Sequence, residues 1–534
     1  MQCLYRNVLF STDHGIKQTR IKIFEVRTLK KYFYVMNILT VLTIIFIFIG
    51  ISSSIYSITI LHHGNIIDDF FSLFFWLATV FFGIQSLSFM FSFRRSKYNY
   101  QNTISDGFLK GYRDKMAILV PIYNENPEMA TYNLTAIYSA AGDLANLYIL
   151  DDSTDDSSTK IKELSERLGA TYIHRIDRTG YKAGALNNAL KIIPEEYVTV
   201  IDIDQTPAPD FVRETVELLD NNPDVAFVQV PQFYANTDSG VLSEMAEAQQ
   251  FIFYEILTEG KSVLGSLFSC GTNVIYRKSA LKSVGYFDET NLVEDITTSV
   301  NLISKGYKGL YYNKKLVFGR APVTMEGYIN QQWRWSAGSL ALMPKIFKNI
   351  IFSRKYGMKM KLDWLATSTW YLFGWFYLVF LLAPIFDVLG IRMLVMNTYV
   401  YILAWMPYTI ILMFTFIMTH IDKHAPLKYV LYNMSANLVL FPLSISVTLS
   451  VLMKRKKPFT TARTGGKLPL YKFSPQIIMM ILIGISAFIL VYRGGFYNYI
   501  TAFWGFFQII LLAPVFLLNR ASKESSLDFP VFTS

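Results

Sequence analysis

Acidic residues close three apolar runs in the middle of the chain: Asp151-Asp152, then Asp202 and Asp204, then Glu294-Asp295. A Gln331-x-x-Arg334-Trp335 cluster follows them. These types in this order suit an enzyme that must hold a metal-bound nucleotide diphosphate, deprotonate an acceptor and stabilise a leaving diphosphate. Asp202 and Asp204, taken as alternate residues at a strand end, would point the same way and share one Mg2+ or Mn2+. Asp295, with Glu294 beside it, is the candidate general base for an acceptor hydroxyl attacking an anomeric carbon. Gln331, Arg334 and Trp335 share one helical turn, where the guanidinium suits a diphosphate and the indole suits stacking under a sugar.

Other segments add to this set. Tyr123 and Glu125 lie in Pro121-Ile122-Tyr123-Asn124-Glu125, where the chain must turn after a strand and a ring can stack on a base. Gly180 to Asn188 opens a helix with small residues that let backbone approach a ligand, and Lys182 suits a phosphate. The spacing is not that of a phosphate-binding P-loop, which disfavours a nucleotide triphosphatase. Cys270 and Gly271, within Phe268 to Asn273, put small residues beside an aromatic, as the end of a sugar chain would require. Each signal has a plainer explanation. Asp151-Asp152 and Glu294-Asp295 could be helix caps, the Asp202 pair a solvated strand end, and Arg334 with the Trp residues membrane-surface anchors. The ordered set carries the reading.

The elements that would position these residues alternate between strand and helix. Met116 to Val120, Leu147 to Leu150, Thr171 to His174, Val198 to Ile203 and Ala226 to Val230 are short apolar runs separated by polar helical stretches such as Ser157 to Leu168. This predicts an α/β domain with a mostly parallel, doubly wound sheet, ligands lying at the carboxyl ends of its strands.

Around that domain the chain is too apolar for a purely soluble protein: of its 534 residues, 52% are hydrophobic and 16% aromatic. Spans are expected at Tyr34 to Ile60, Phe70 to Phe93, Leu365 to Phe386, Tyr399 to Thr419, Ile477 to Val491 and Thr501 to Leu518. A further run, Tyr429 to Met453, is expected to be re-entrant or interfacial and interrupted at Pro442, because a crossing there would put the basic segment Lys454 to Lys467 outside. The net charge of +10 collects beside apolar segments, as in Arg94-Arg95 and Lys454 to Lys457, and so reads as membrane topology rather than a nucleic-acid surface. The resulting division is a cytosolic segment 1–33, two spans in 34–97, a cytosolic domain 98–345, and interfacial helices, a loop and four spans in 346–534. Met325 to Ile350, amphipathic and Trp-bearing, is expected at the cytoplasmic membrane surface. No removable signal peptide is expected. With only Cys3 and Cys270, neither a disulfide framework nor a C-x-x-C metal site is implied.

In this order and on this layout, Asp151-Asp152, Asp202-x-Asp204, Glu294-Asp295 and Gln331-x-x-Arg334-Trp335 resemble the motifs of the processive inverting glycosyltransferases of family 2, bacterial cellulose synthase catalytic subunits in particular. Tyr181-Lys182-Ala183-Gly184 and Phe268 to Asn273 also look like that group, and the resemblance covers roughly residues 70 to 520. It implies a GT-A-like domain, a nucleotide-sugar donor with a divalent metal, and a growing polysaccharide pushed through the enzyme's own membrane helices. Carried over by match, Asp151, Lys182, Asp202 and Asp204 would hold the UDP and metal, Asp295 would be the base, and Gln331, Arg334 and Trp335 would line the donor and acceptor site. Pro458 to Lys467 resembles the family's gating loop, with Phe459, Thr460, Thr461 and Arg463 as the matching positions, but Ala462 stands where Thr is expected. No cyclic-nucleotide-sensing domain is expected after Arg520.

Hyaluronan synthases share the layout, so layout does not choose the product. Val293-Glu294-Asp295-Ile296 is more similar to the cellulose-type motif, which favours a β-linked glucan made from UDP-glucose over hyaluronan, chitin or mannan. The expected setting is the plasma membrane, multi-pass, with the catalytic domain in the cytoplasm and any accessory export subunit unknown. Two rivals remain: a non-processive transferase adding one sugar to a lipid carrier, and a transporter or scaffold whose domain merely binds nucleotide.

Overall fold

The computed structural model describes residues 66–96, 113–291, 293–391, 401–455 and 467–520, with isolated positions between 37 and 52 and at 393 and 399. The expected span Tyr34 to Ile60 falls largely outside the described residues, as do Phe459, Thr460, Thr461 and Arg463 of the expected gating loop.

A seven-stranded sheet in the order β3-β2-β1-β4-β8-β6-β9 forms the centre of the α/β domain. Its strands are β1 (Met116–Ile122), β2 (Asn146–Asp151), β3 (Thr171–His174), β4 (Tyr197–Val200), β6 (Val225–Gln229), β8 (Val274–Arg277) and β9 (Lys308–Tyr311). Strands β1 to β4 pair in parallel, β6 pairs in parallel with β9, and β8 runs antiparallel between β4 and β6. The expected mostly parallel sheet is present, with β8 and β9 added to the strands read from apolar runs. A short second sheet joins β5 (Thr206–Pro207), β10 (Val317–Gly319) and β7 (Phe233–Tyr234).

The strands read as unbroken apolar runs because both faces are covered. Along β1, Met116, Ile118, Val120 and Ile122 enter one core with residues of the helices Pro127–Ala141, Ser157–Arg167 and Phe211–Asp220. Ala117 and Leu119 enter the opposite core with Leu186 and Leu190 of the helix Tyr181–Ile192. Alternate residues on one strand thus hold helices on both sides, which is what double winding requires.

Among the described residues, five helices are long and apolar enough to cross a membrane: Ile66–Phe93, Met358–Val388, Tyr401–Asp422, Leu470–Arg493 and Phe496–Leu518. We label the elements used below α1 (Ile66–Ser96), α2 (Tyr181–Ile192), α3 (Val241–Ile252), α4 (Glu259–Leu264), α5 (Glu294–Lys305), α6 (Met325–Ile346), α7 (Met358–Thr369), α8 (Phe373–Val388), α9 (Met406–Asp422), α10 (Lys428–Val439) and α11 (Phe441–Leu452). The pair α10 and α11 meets at a 45° bend. Pro442 sits in the first turn of α11, where its missing N–H removes no helical bond. Both helices pack on the α/β domain: Asn433 of α10 donates to the Ala248 carbonyl of α3 at 3.1 Å, and Val447 of α11 packs with Ala337 and Leu340 of α6.

A buried ion pair joins the domain to the membrane helices. Lys261 Nζ of α4 lies 2.7 Å from Asp363 Oδ2 of α7, with side chains 5% and 2% exposed, and Ser88 of α1 donates to Asp363 Oδ1 at 3.0 Å. Gly260 is required beside it, since a Cβ there would stand 2.3 Å from Ser92 Cα of α1.

Candidate active site

The Asp202 pair does not sit on a strand. β4 ends at Val200, and Asp202 to Gln205 form a turn closed by the Gln205 N–H on the Asp202 carbonyl at 2.9 Å. Ile203 turns inward, 4% exposed, which explains why an apolar run continued past the strand in the sequence. The expected strand alternation is therefore corrected to a turn that leaves both carboxylates at the carboxyl edge of the sheet.

Lys182, in the first turn of α2, draws three segments together. Its Nζ donates to Asp202 Oδ1 at 2.6 Å and to the Gly271 carbonyl at 2.9 Å. Burial works against the ammonium, but Asp202, Glu294 and Asp295 outweigh it and hold its pKa up. The Lys182 and Asp202 side chains keep 28% and 36% exposure, so they lie in an open cleft that a ligand can enter.

Gly271 has φ +75°, and a Cβ there would meet Asp295 Oδ2 at 2.9 Å. A side chain at this position would push into the carboxylate, so glycine is what permits the approach. Gln229, which sequence reasoning missed, pins the same segment. Its side chain accepts from the Cys270 N–H at 2.8 Å and donates to the Thr272 and Asn273 carbonyls at 2.9 and 3.0 Å. The available signal was a lone amide within the apolar run Ala226 to Val230, a position that buries a polar group only when it is bonded.

Glu294 and Asp295 occupy the first turn of α5, after an N-cap residue, Val293, that makes no side-chain cap. Neither acts as the helix cap, although Asp295 Oδ1 accepts from the Ile296 N–H at 2.8 Å. Burial and the neighbouring Glu294 charge push the Asp295 carboxyl up to about 7. Burial also raises Glu294, with Lys182 and Arg334 opposing it. On α6, burial lowers the Arg334 guanidinium while Asp202, Asp204 and Glu294 act the other way. Lys182, Asp202, Asp204, Glu294, Asp295 and Arg334 therefore share one electrostatic neighbourhood.

Asp151 and Asp152 lie farther along the sheet edge, and their oxygens are taken by the protein itself. Asp151, fully buried, accepts from the Ser153 N–H at 2.9 Å and the Tyr172 hydroxyl at 2.7 Å. Asp152 receives both Nε and Nη2 of Arg175, whose guanidinium also donates to the Thr179 and Tyr181 carbonyls. That grip fixes the loop leading into Lys182. Tyr123 lies against this loop, its ring under the Arg178 guanidinium at 3.8 Å, and Asn124 N–H donates to Ser153 Oγ at 2.8 Å. Glu125 is half-buried on the same loop.

The donor set at the turn fits a divalent ion completed by its substrate. Among the described residues no group of three or more His, Cys, Asp and Glu could hold a metal alone. Two carboxylates plus substrate phosphates is the pattern by which Mg2+ is commonly held. Burial, and then the neighbouring Asp204 charge, raise Asp202 against the pull of Lys182 and Arg334, and two adjacent carboxylates favour a bound cation.

Asp295 opens onto a cavity of about 580 Å3. Cys270, Gln331 and Trp335 line it together with Gln85 and Phe89 of α1, Tyr371, Phe416 of α9 and Asn437 of α10. The wall joins aromatic rings to side-chain amides, which match the apolar faces and hydroxyl edges of sugars.

Residues 197–418 match the family described as glycosyl transferase family group 2. The chain carries a family 2 glycosyltransferase domain. Its relatives include glucomannan 4-beta-mannosyltransferase 2 of Arabidopsis thaliana, 32% identical over 253 residues, covering 45% of this chain and 47% of that protein. Another is the cellulose synthase 1 catalytic subunit, UDP-forming, of Komagataeibacter xylinus, 24% identical over 433 residues, covering 76% of this chain and 56% of that one. The chain spans about half the length of these curated relatives. A mannosyltransferase from Pyrobaculum calidifontis, solved with GDP-Man and Mn2+, overlaps 72% of this chain and 100% of its own at 18% identity and a TM-score of 0.49.

Proposed function

We propose that this family 2 domain is a membrane-embedded, processive, inverting hexosyltransferase that extends a β-linked polysaccharide from a nucleoside-diphosphate sugar and passes it across the membrane. One observation carries the reading: Asp295 opens into a cavity that residues of candidate membrane helices also line. A base and an exit path in one space are what polymer extension needs. A transfer to a small lipid carrier would not need a sugar-matching wall reaching α9 and α10, and a nucleotide-binding scaffold would not need a base.

In this scheme the acceptor's hydroxyl oxygen forms the new bond to the anomeric carbon from the face opposite the diphosphate, and its proton passes to Asp295. The carbon–oxygen bond to the diphosphate breaks with its electron pair on the leaving group, so the anomeric configuration inverts. Lys182 and Arg334 receive that negative charge. Asp202 and Asp204 would hold a Mg2+ or Mn2+ ion, which would supply further charge neutralisation on the diphosphate. Tyr123 and Glu125 form the nucleotide end, and Asp151 and Asp152, bonded within the protein, hold the loops around it. Gln331 sits between donor and acceptor, Cys270 and Gly271 floor the acceptor site, and Trp335 stacks on the acceptor sugar. The proposed boundaries are a catalytic domain over 98–345, facing the cytoplasm, with the polymer path through the helices after it.

We favour glucose from UDP-glucose, giving a cellulose-like glucan. The mannosyltransferase among the relatives makes mannose the second candidate. Purified protein offered UDP-glucose, UDP-N-acetylglucosamine, UDP-glucuronic acid and GDP-mannose, each with Mg2+ or Mn2+, should release nucleoside diphosphate and build a long product with one neutral hexose donor. Digestion with linkage-specific hydrolases then reads the linkage. A single-sugar lipid product, or no sugar transfer with any donor, overturns the reading.

A further inference from the structure

A strongly basic surface lies outside the catalytic cleft. Residues 345–361 carry Lys345, Lys348, Arg354, Lys355, Lys359 and Lys361 and no acidic residue. Lys345 is paired with Asp288 at 3.2 Å, and Lys355 donates to the Ser304 carbonyl at 3.0 Å. Lys348, Arg354 and Lys359 are exposed, and among the described residues no carboxylate pairs with them. Two large apolar side chains stand out among these cations, Phe352 at 74% and Met358 at 78% exposure.

The segment is firmly held from behind. Ile346 and Ile350 are buried in a core with Val300, Ile303 and Trp364, and the Tyr356 hydroxyl donates to the Ile303 carbonyl at 3.1 Å. It therefore presents cations and apolar tips from a fixed base. Its depth follows from what comes next: the candidate span Met358–Val388 begins inside it, so a bilayer crossed by that span has its headgroup layer at these residues. The first-turn N–H groups of α7 have no side-chain cap, which adds partial positive charge at the same level.

We infer that residues 348–361 form a docking strip for an anionic phospholipid leaflet, with Lys348, Arg354 and Lys359 on the headgroup phosphates and Phe352 and Met358 in the acyl boundary. Basic side chains beside exposed apolar ones at headgroup depth are the combination that binds anionic lipid surfaces. The strip continues directly from α6, so lipid held there also seats the helix that carries Arg334 and Trp335.

The test uses the full chain in mixed micelles of phosphatidylglycerol and phosphatidylcholine, with retained lipids counted by native mass spectrometry. Phosphatidylglycerol should be retained in preference. Lys348→Gln/Arg354→Gln/Lys359→Gln should reduce its retention at least about fivefold, the effect of roughly one cation at an anionic surface. Phe352→Ser/Met358→Ser should also reduce it, whereas Lys160→Gln/Lys162→Gln, on the soluble helix Ser157–Arg167, should not. An unchanged triple variant overturns the proposal. So does displacement of the lipid by inorganic phosphate with the Phe352/Met358 variant unaffected, which would mark a free-phosphate site. If the triple variant does not fold, hydrogen exchange of the wild type decides: residues 347–361 should exchange more slowly in phosphatidylglycerol than in phosphatidylcholine nanodiscs, and equal exchange overturns the proposal.

Discussion

Asp151-Asp152 and Glu294-Asp295 look alike in sequence, yet the fold treats them in opposite ways. The first pair is satisfied internally: Tyr172, the Ser153 N–H and Arg175 occupy its oxygens. The second is crowded and short of compensation, and burial with mutual repulsion drives Asp295 up to about 7. A carboxylate already bonded to its own protein builds geometry. One held in a cavity with a raised pKa is poised to exchange a proton near neutral pH.

The largest effect that sharpens this contrast is expected at Asp295. Asp295→Asn removes the base and should lower kcat by about 10^2–10^4, the usual range for general-base catalysis, while donor binding persists. Nucleoside diphosphate release, with donor affinity measured separately, checks it; unchanged turnover would make the two acidic pairs equivalent. Asp152→Ala should show the opposite profile. Stranding the largely buried Arg175 guanidinium should destabilise the domain by about 3 kcal/mol, read as a lower melting temperature. Loosening of the Arg175 loop should then weaken donor binding more than it slows the step that follows.

How far the sequence revealed this contrast depended on burial. β1, β2 and β6 were legible because covered strands leave uninterrupted apolar runs, and β3, an edge strand with exposed ends, by its β-branched and aromatic residues. β8 was not, since Val274 to Arg277 is a brief run directly after the polar Cys270 to Asn273 segment, and its antiparallel insertion between β4 and β6 has no local sign. The Asp202 turn was misplaced onto a strand because Ile201 and Ile203 are buried in the turn as an apolar strand residue would be. The acidic positions could be picked out one by one. Which of them would be bonded within the protein could not, because Tyr172 and Arg175 reach Asp151 and Asp152 only after β2 and β3 pair. Gln229 was hidden for the same reason: its partners Cys270 and Thr272 lie 41 and 43 residues away in the chain.

The pH dependence makes a finer test. A base with a pKa of about 7 is charged and competent above that value and protonated below it, so the rate should climb as pH rises through 7. Between pH 6 and pH 8 the single titration predicts a rise of about tenfold in kcat/KM. A flat profile over that interval would place Asp295 with the internally satisfied carboxylates.

The smallest expected change separates the two causes of the raised pKa. Burial and the Glu294 charge both push Asp295 upward, and only the second disappears in Glu294→Gln. The substitution preserves shape and removes a negative charge, so the Asp295 carboxyl should ionise more readily and the rising limb of the pH profile should move to lower pH. The rate at pH 8, where the base is already charged, should change less than the rate at pH 6. If the limb stays where it was, burial alone sets the value and Glu294 acts only on the cations Lys182 and Arg334, which it also faces. If the limb moves while the maximum falls, Glu294 does both, because the negative charge that raises Asp295 also helps to hold those cations beside the leaving diphosphate.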